Sequence, residues 1–251
     1  MSWIRRPRPV PDARVRLFCV PHAGAGPSFY ARWVTELSWE GIEVCLVHLP
    51  GRESRFTEPP VDDLDVIAAA VATAVEPLLD RPFAMFGHSM GALVAYEVAH
   101  RLSRQPGQLF VSGFPPPHAP PTDPPVAHLP DAEFLAAVRA GYGGIPDSLW
   151  ADQDLVRLLL PMLRADFAAC ERYVWPAHPP LSCDITALCG AGDHYVPEQA
   201  LSGWAQLTTG RCTTHVIGHG HFNLTTDRSA VHRLVLDRLG MVPASEGAHH
   251  D

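Results

Sequence analysis

Lysine is absent from this chain, and all 19 basic residues are arginine. Together with 26 prolines and many Ala, Val and Leu, this composition is the mark of a GC-rich coding sequence and carries no mechanism. Positive charge is scarce. The 19 basic residues face 27 acidic ones, for a formal charge of −8, which excludes a general nucleic-acid binder and a cationic membrane-surface protein. The six cysteines (Cys19, Cys45, Cys170, Cys183, Cys189, Cys212) contain no CxxC pair. Scattered thiols of this kind fit a reducing compartment rather than a disulfide framework, and unclustered ligands offer no zinc site. The longest apolar stretch, Val66–Leu79, is broken by Thr73, Glu76 and Pro77 and is too short to span a bilayer. Residues 1–15 are Arg- and Pro-rich without an apolar h-region, so no signal peptide is expected there. No membrane partner and a cytoplasmic location are expected.

What is present is a chain rich enough in apolar residues, 47% against 18% charged, to bury one large α/β core. Short β-branched or aromatic runs recur at Val15–Val20, Ile42–His48, Phe83–Phe86, Gln108–Val111, Ile185–Cys189 and Cys212–Ile217. Several are apolar throughout, as parallel strands covered on both faces require. Between and after them, helical spacing predicts helices over Ser28–Trp39, Asp62–Leu79, Met90–Leu102, Pro197–Leu207 and Asp227–Leu239. Asp62 and Asp63, ahead of Leu64, are suited to cap the second of these. The alternation predicts an α/β protein with a mainly parallel sheet of six or seven strands flanked by helices.

One segment interrupts the alternation. From Pro115 to Pro180 no strand pattern occurs; a proline cluster is followed by helical patterns over Asp131–Ala140, Asp152–Leu160 and Met162–Tyr173. The expected organisation is a core of residues 1–114 and 181–251 with a helical lid inserted at 115–180. The tail, Ala244–Asp251, is expected to fray.

Gly87-His88-Ser89-Met90-Gly91 matches the G-x-S-x-G nucleophile elbow. A serine on a strained strand-to-helix turn needs small neighbours, and an apolar strand pattern precedes this motif while a helical pattern follows it. Such a nucleophile needs a base, and the base needs an orienting carboxylate, in the chain order Ser, acid, His. Ile185–Cys189 leads through Gly190-Ala191-Gly192 to Asp193, the candidate acid, whereas Asp184 stands at the wrong end of that strand. The last strand runs into Gly218-His219-Gly220-His221, where either histidine could reach the elbow. His88 and His215 read as packing or hydrogen-bonding residues. Two N–H donors must face the developing oxyanion. Met90, after the nucleophile, supplies one. Ala23, in the loop Pro21–Gly26 after the first core strand, is the candidate for the other, unless that loop is an ordinary glycine-rich turn. That loop does not have the spacing of a GxGxxG dinucleotide fingerprint.

Six segments together, Phe18–Gly26, Leu49–Arg55, Phe86–Glu97, Leu129–Leu135, Leu163–Phe167 and Gly220–Phe222, resemble the type II thioesterases. These are free-standing α/β-hydrolases that accompany modular polyketide synthases and nonribosomal peptide synthetases. The resemblance spans about Val15 to Leu239. It implies an α/β-hydrolase fold and hydrolysis of acyl or aminoacyl groups from the phosphopantetheine arm of an acyl or peptidyl carrier protein, clearing stalled or misprimed modules. It implies Ser89 as nucleophile, Asp193 as acid and His221, rather than His219, as base, with Ala23 and Met90 as oxyanion donors. No cofactor or metal is implied, and a separate, monomeric protein is expected. Two positions depart from the usual family pattern, Ala25–Gly26 in the first loop and Asn223 after the His-Phe pair, and both are expected to reshape the acyl pocket. Met90, Tyr142, Phe167 and Phe222 are candidates to line or block that pocket. Arg52, Arg55, Arg139 and Arg164 are either partners for the arm's phosphate or for carrier carboxylates, or else solvated surface residues or internal ion pairs. A product-releasing thioesterase or a small-molecule carboxylesterase would use the same triad, and a non-catalytic carrier-binding role is a third reading.

Overall fold

The computed structural model describes residues 2–121, 123–142 and 152–241, with Tyr142 described for its backbone alone. The tail at 244–251 and the side chain of Tyr142 lie outside the described residues. Seven strands form one sheet in the order β1-β3-β2-β4-β5-β6-β7. They are β1 (Ile4–Arg5), β2 (Val15–Val20), β3 (Ile42–Val47), β4 (Phe83–His88), β5 (Gln108–Ser112), β6 (Asp184–Ala191) and β7 (Cys212–His219). β2 to β7 run parallel. Among the described strands only the two-residue β1, which no apolar run foreshadows, pairs antiparallel, on β3 through Ile4 and Val47.

The apolar runs are buried on both faces because successive residues feed two separate cores. Phe18, Val20, Cys45, Val47, Met85 and Val111 join one cluster with Ile67, Val71 and Leu93, from α2 (Leu64–Val75) and α3 (Met90–Arg101). Their neighbours Leu17, Cys19, Val44, Leu46, Phe86 and Phe110 join the other. That second layer takes Trp33 and Leu37 from α1 (Ala31–Ser38) and Val231 and Val235 from a late helix, Arg228–Arg238. A strand buried on both faces cannot alternate polar with apolar, which is why these runs read as they do.

The predicted helices form with four differences. Pro27–Tyr30 and Glu76–Leu78 tighten into 3-10 turns at the ends of α1 and α2, and Glu198–Leu207 winds as a 3-10 helix. Apolar spacing over so short a stretch does not separate 3.0 from 3.6 residues per turn. Asp63 caps α2, accepting from the backbone N–H of Asp65 and Val66. Between β5 and β6 lie α4 (Asp131–Tyr142) and α5 (Gln153–Glu171). The separate helices expected over Asp152–Leu160 and Met162–Tyr173 are one continuous helix through Pro161. The cap at Asp152, which accepts from Leu155 N–H, and the buried face from Met162 to Ala169 offset the one backbone bond that proline removes. Phe134 and Val138 of α4 pack against Leu163 and Phe167 of α5 in a third, smaller cluster. After β7 comes the single turn α6 (Asn223–Thr226), and α7 (Arg228–Arg238) closes the fold. Among the described residues, no helix is long and apolar enough to cross a membrane.

Candidate active site

Parallel strands deliver their carboxyl ends to one edge, and the turns after β4, β6 and β7 meet there. Ser89 sits between β4 and α3 at φ 53° and ψ −124°, a conformation disfavoured for a residue with a side chain. The turn survives because its flanks are bare. A Cβ on Gly87 would stand 2.0 Å from the carbonyl oxygen of Gly91, and one on Gly91 would stand 2.2 Å from that of Val20. The Ser89 N–H donates to the Ser112 carbonyl at 2.7 Å, tying the turn to β5.

Asp193 follows β6 after Gly192, whose φ is +70°. His221 follows β7 after Gly220, at φ +64°. A Cβ on Gly190 would lie 2.2 Å from the Gly220 oxygen, so the two turns approach at backbone contact, and Gly220 N–H donates to Ala191 O at 2.9 Å. The result is a relay. His221 Nδ1 donates to Asp193 Oδ2 at 3.0 Å, and its Nε2 lies 3.0 Å from Ser89 Oγ. The other carboxylate oxygen of Asp193 accepts from the Tyr195 backbone N–H at 3.0 Å. All three side chains are buried. A hydroxyl bonded to an imidazole that is itself held by a carboxylate can surrender its proton to that imidazole. His219 is exposed at the end of β7, and Asp184 stands at the opposite end of β6, where it accepts from Arg211 N–H. Neither joins the relay.

Ala23 and Met90 line the same cavity as Ser89 and His221. Met90 opens α3, so its N–H is one of the first four that no helical carbonyl can accept. The cavity measures about 610 Å³ and continues from the elbow to α4 and α5, where Val138, Leu160, Leu163 and Phe167 make it apolar. Ala25 and Gly26 line it; Asn223 does not. Asn223 is fully buried, accepting from Ser112 Oγ, which in turn contacts His88 Nδ1 at 3.1 Å. Its effect on the cavity is therefore indirect.

The rings of His88 and His221 stand 5.2 Å apart, and those of His22 and His88 5.6 Å. Burial, and then the neighbouring His221, lower the His22 imidazole to about 3 and push that of His88 well below the ordinary histidine range. Both rings stay neutral at physiological pH. Sequence reasoning left the positions of four arginines open. Arg52 is buried in a two-pronged pair with Asp166, and Arg55 is buried against Glu58 and the His48 carbonyl. Arg164 bonds Asp131 and the Leu129 carbonyl, while Arg139 lies exposed on α4. Among the described residues no cluster of three or more His, Cys, Asp or Glu side chains could hold a metal ion.

Comparison with known proteins places the chain in a family. The family model described as "Thioesterase domain" matches residues 15–239. Linear gramicidin dehydrogenase LgrE of Brevibacillus parabrevis is 39% identical over 233 residues, 90% of this chain and 88% of that protein. Its name speaks of a dehydrogenase, but the loop after β2 in this chain lacks the dinucleotide-binding spacing. Thioesterase PikA5 of Streptomyces venezuelae is 37% identical, over 88% of this chain and 80% of its own. Among solved structures, the type II thioesterase BorB from the borrelidin biosynthetic cluster superposes with a TM-score of 0.86. It is 34% identical and covers 95% of this chain and 99% of its own. The chain belongs to the thioesterase domain family and is a thioester hydrolase.

Proposed function

We propose that this enzyme hydrolyses acyl or aminoacyl thioesters carried on the phosphopantetheine arm of acyl or peptidyl carrier proteins, clearing stalled or misprimed polyketide and nonribosomal peptide modules. The observation that carries the reading is the Ser89–His221–Asp193 relay opening onto an apolar cavity of about 610 Å³. The relatives named for gramicidin and borrelidin biosynthesis support the pathway class.

The course is two acyl transfers. His221 Nε2 takes the Ser89 proton as Oγ bonds to the thioester carbonyl carbon, while Asp193 holds the imidazole in the accepting tautomer. The backbone N–H groups of Ala23 and Met90 receive the negative oxygen. The C–S bond then breaks, and the pantetheine sulfur leaves with the proton from His221. A water gives a proton to His221 as its oxygen adds to the acyl carbon. The Oγ–C bond breaks, Ser89 recovers its proton, and the carboxylic acid departs. Residues 115–180 act as a lid, with α4 and α5 forming the apolar wall over the acyl chain.

The test is one short acyl group offered on three supports: holo carrier protein, free pantetheine and an aryl oxygen ester. Wild type and Ser89→Ala are compared on each. Hydrolysis fastest from the carrier and lost in the variant is expected. Indifference to the carrier, or a preference for the oxygen ester, overturns the reading in favour of a general esterase.

A further inference from the structure

Two segments far apart in the chain, Arg52–Glu53 and one face of α5, converge on the loop that carries Ala23. Asp166, on the buried face of α5, accepts from the backbone N–H of Gly24 at 2.7 Å. The same carboxylate receives both prongs of Arg52, at 2.9 and 2.7 Å. Arg52 Nη1 also donates to the carbonyl of Ala25 at 2.9 Å, and Glu53 accepts from Ser28 N–H at 2.8 Å. Gly24 has φ +80°, and a Cβ there would stand 2.8 Å from Leu163, one turn before Asp166 on α5. The residue directly after Ala23 is therefore left no room for a side chain by one α5 residue and is bonded by another. Arg52 and Asp166 are both almost wholly buried.

A buried ion pair contributes little net stability relative to an apolar pair, because desolvating both charges offsets their attraction. This one does something an apolar pair cannot: it gives the Gly24 N–H an anionic acceptor and so fixes the peptide plane next to Ala23. An oxyanion donor is effective only when it is already aimed before charge develops. We infer that Asp166 is a positioning residue for the reaction: by holding Gly24 N–H it sets the direction of the Ala23 N–H and links α5 to the oxyanion loop. The inference rests on the proposed acyl-serine mechanism and on Ala23 as a donor.

Two double variants isolate the Gly24 bond. R52M/D166L and R52M/D166N both remove the charges and the Arg52 contact to Ala25 while keeping similar volume. Only D166N keeps a carbonyl oxygen for Gly24 N–H. With an acyl-pantetheine substrate, R52M/D166L is expected to lose fiftyfold or more in kcat with KM within twofold, and R52M/D166N less than fivefold. Equal kcat in the two doubles, or a loss carried by KM, overturns the inference and leaves the pair a structural one. A measurement on the wild type stands independently of how the variants fold. Phosphonylation of Ser89 places a charged oxygen at the donors, and the assigned Gly24 amide resonance is expected to be exchange-protected and to shift on modification. An exposed or unmoved Gly24 amide overturns the inference. Failure of the wild type on every thioester would instead count against the proposed mechanism.

Discussion

Gly87 and Gly91 face each other across the turn that carries Ser89, so closely that a Cβ on the first would lie 2.0 Å from the carbonyl oxygen of the second. The obstacle is backbone, which has no rotamer to yield. Gly87→Ala is therefore expected to destabilise the fold by about 3 kcal/mol, at the upper end of overpacking costs, and to displace Ser89 from His221. Gly91→Ala, which meets the Val20 carbonyl, should behave alike. Thermal melts and thioesterase rates measure both effects; a Gly87→Ala chain with wild-type Tm and kcat would show that the elbow can open.

The second prediction concerns the tautomer of His221. In Asp193→Asn the side-chain amide keeps the Tyr195 contact within reach but can donate to Nδ1, leaving the proton on Nε2, where it faces Ser89. The hydroxyl then has no base. A fall in kcat of roughly ten-thousand-fold with little change in KM is expected. A modest loss, tenfold or less, would mean that another carboxylate orients the imidazole.

Acyl preference follows from the cavity wall. Among the described lining residues the ionisable side chains are His22, Cys170 and His221, and His22 is held neutral by burial. A charged acyl group would lose its hydration there without gaining a partner. Isosteric pairs test this: 3-methylbutyryl against malonyl, and isobutyryl against alanyl, each as the pantetheine thioester. The neutral member should be favoured a hundredfold or more in kcat/KM. Parity within either pair would require a charged group at the cavity that the described residues do not supply.

Stability should fall in mild acid. Burial lowers His22 to about 3, and His100 and His232 to about 4, below the ordinary value near 6.5. Between about pH 6.5 and 4 the unfolded chain therefore binds more protons than the folded one, and stability is lost as pH falls through that window. Urea midpoints at pH 7.5, 6.5 and 5.5 should decline in that order. His232 packs edge-on against Trp33 and bonds Glu36, away from the cavity, so His232→Gln should flatten the decline. A midpoint that is level from pH 7.5 to 5.5 would show that these rings can protonate without unfolding.

The chain by itself determined what is local. Strands buried on both faces announced themselves as apolar runs, because alternate residues at positions such as Phe18 and Cys19 enter different cores. The elbow was legible because the strain at Ser89 demands small neighbours two residues away on either side. Asp193 was legible from the small residues that turn the chain after β6. The choice between His219 and His221 was not; it came from family resemblance, since two residues of one turn differ only in which way the chain faces, and β7 sends the first outward. Helix continuity through Pro161 was hidden as well, because the face that offsets the lost bond is buried only once α5 meets α4 and the loop after β2. Most of all, the meeting of Gly24, Arg52 and Asp166 belongs to tertiary structure. Nothing in the spacing of residues 24, 52 and 166 marks them as partners, since the parallel sheet carries its crossovers away and back before the three polar groups share one buried point.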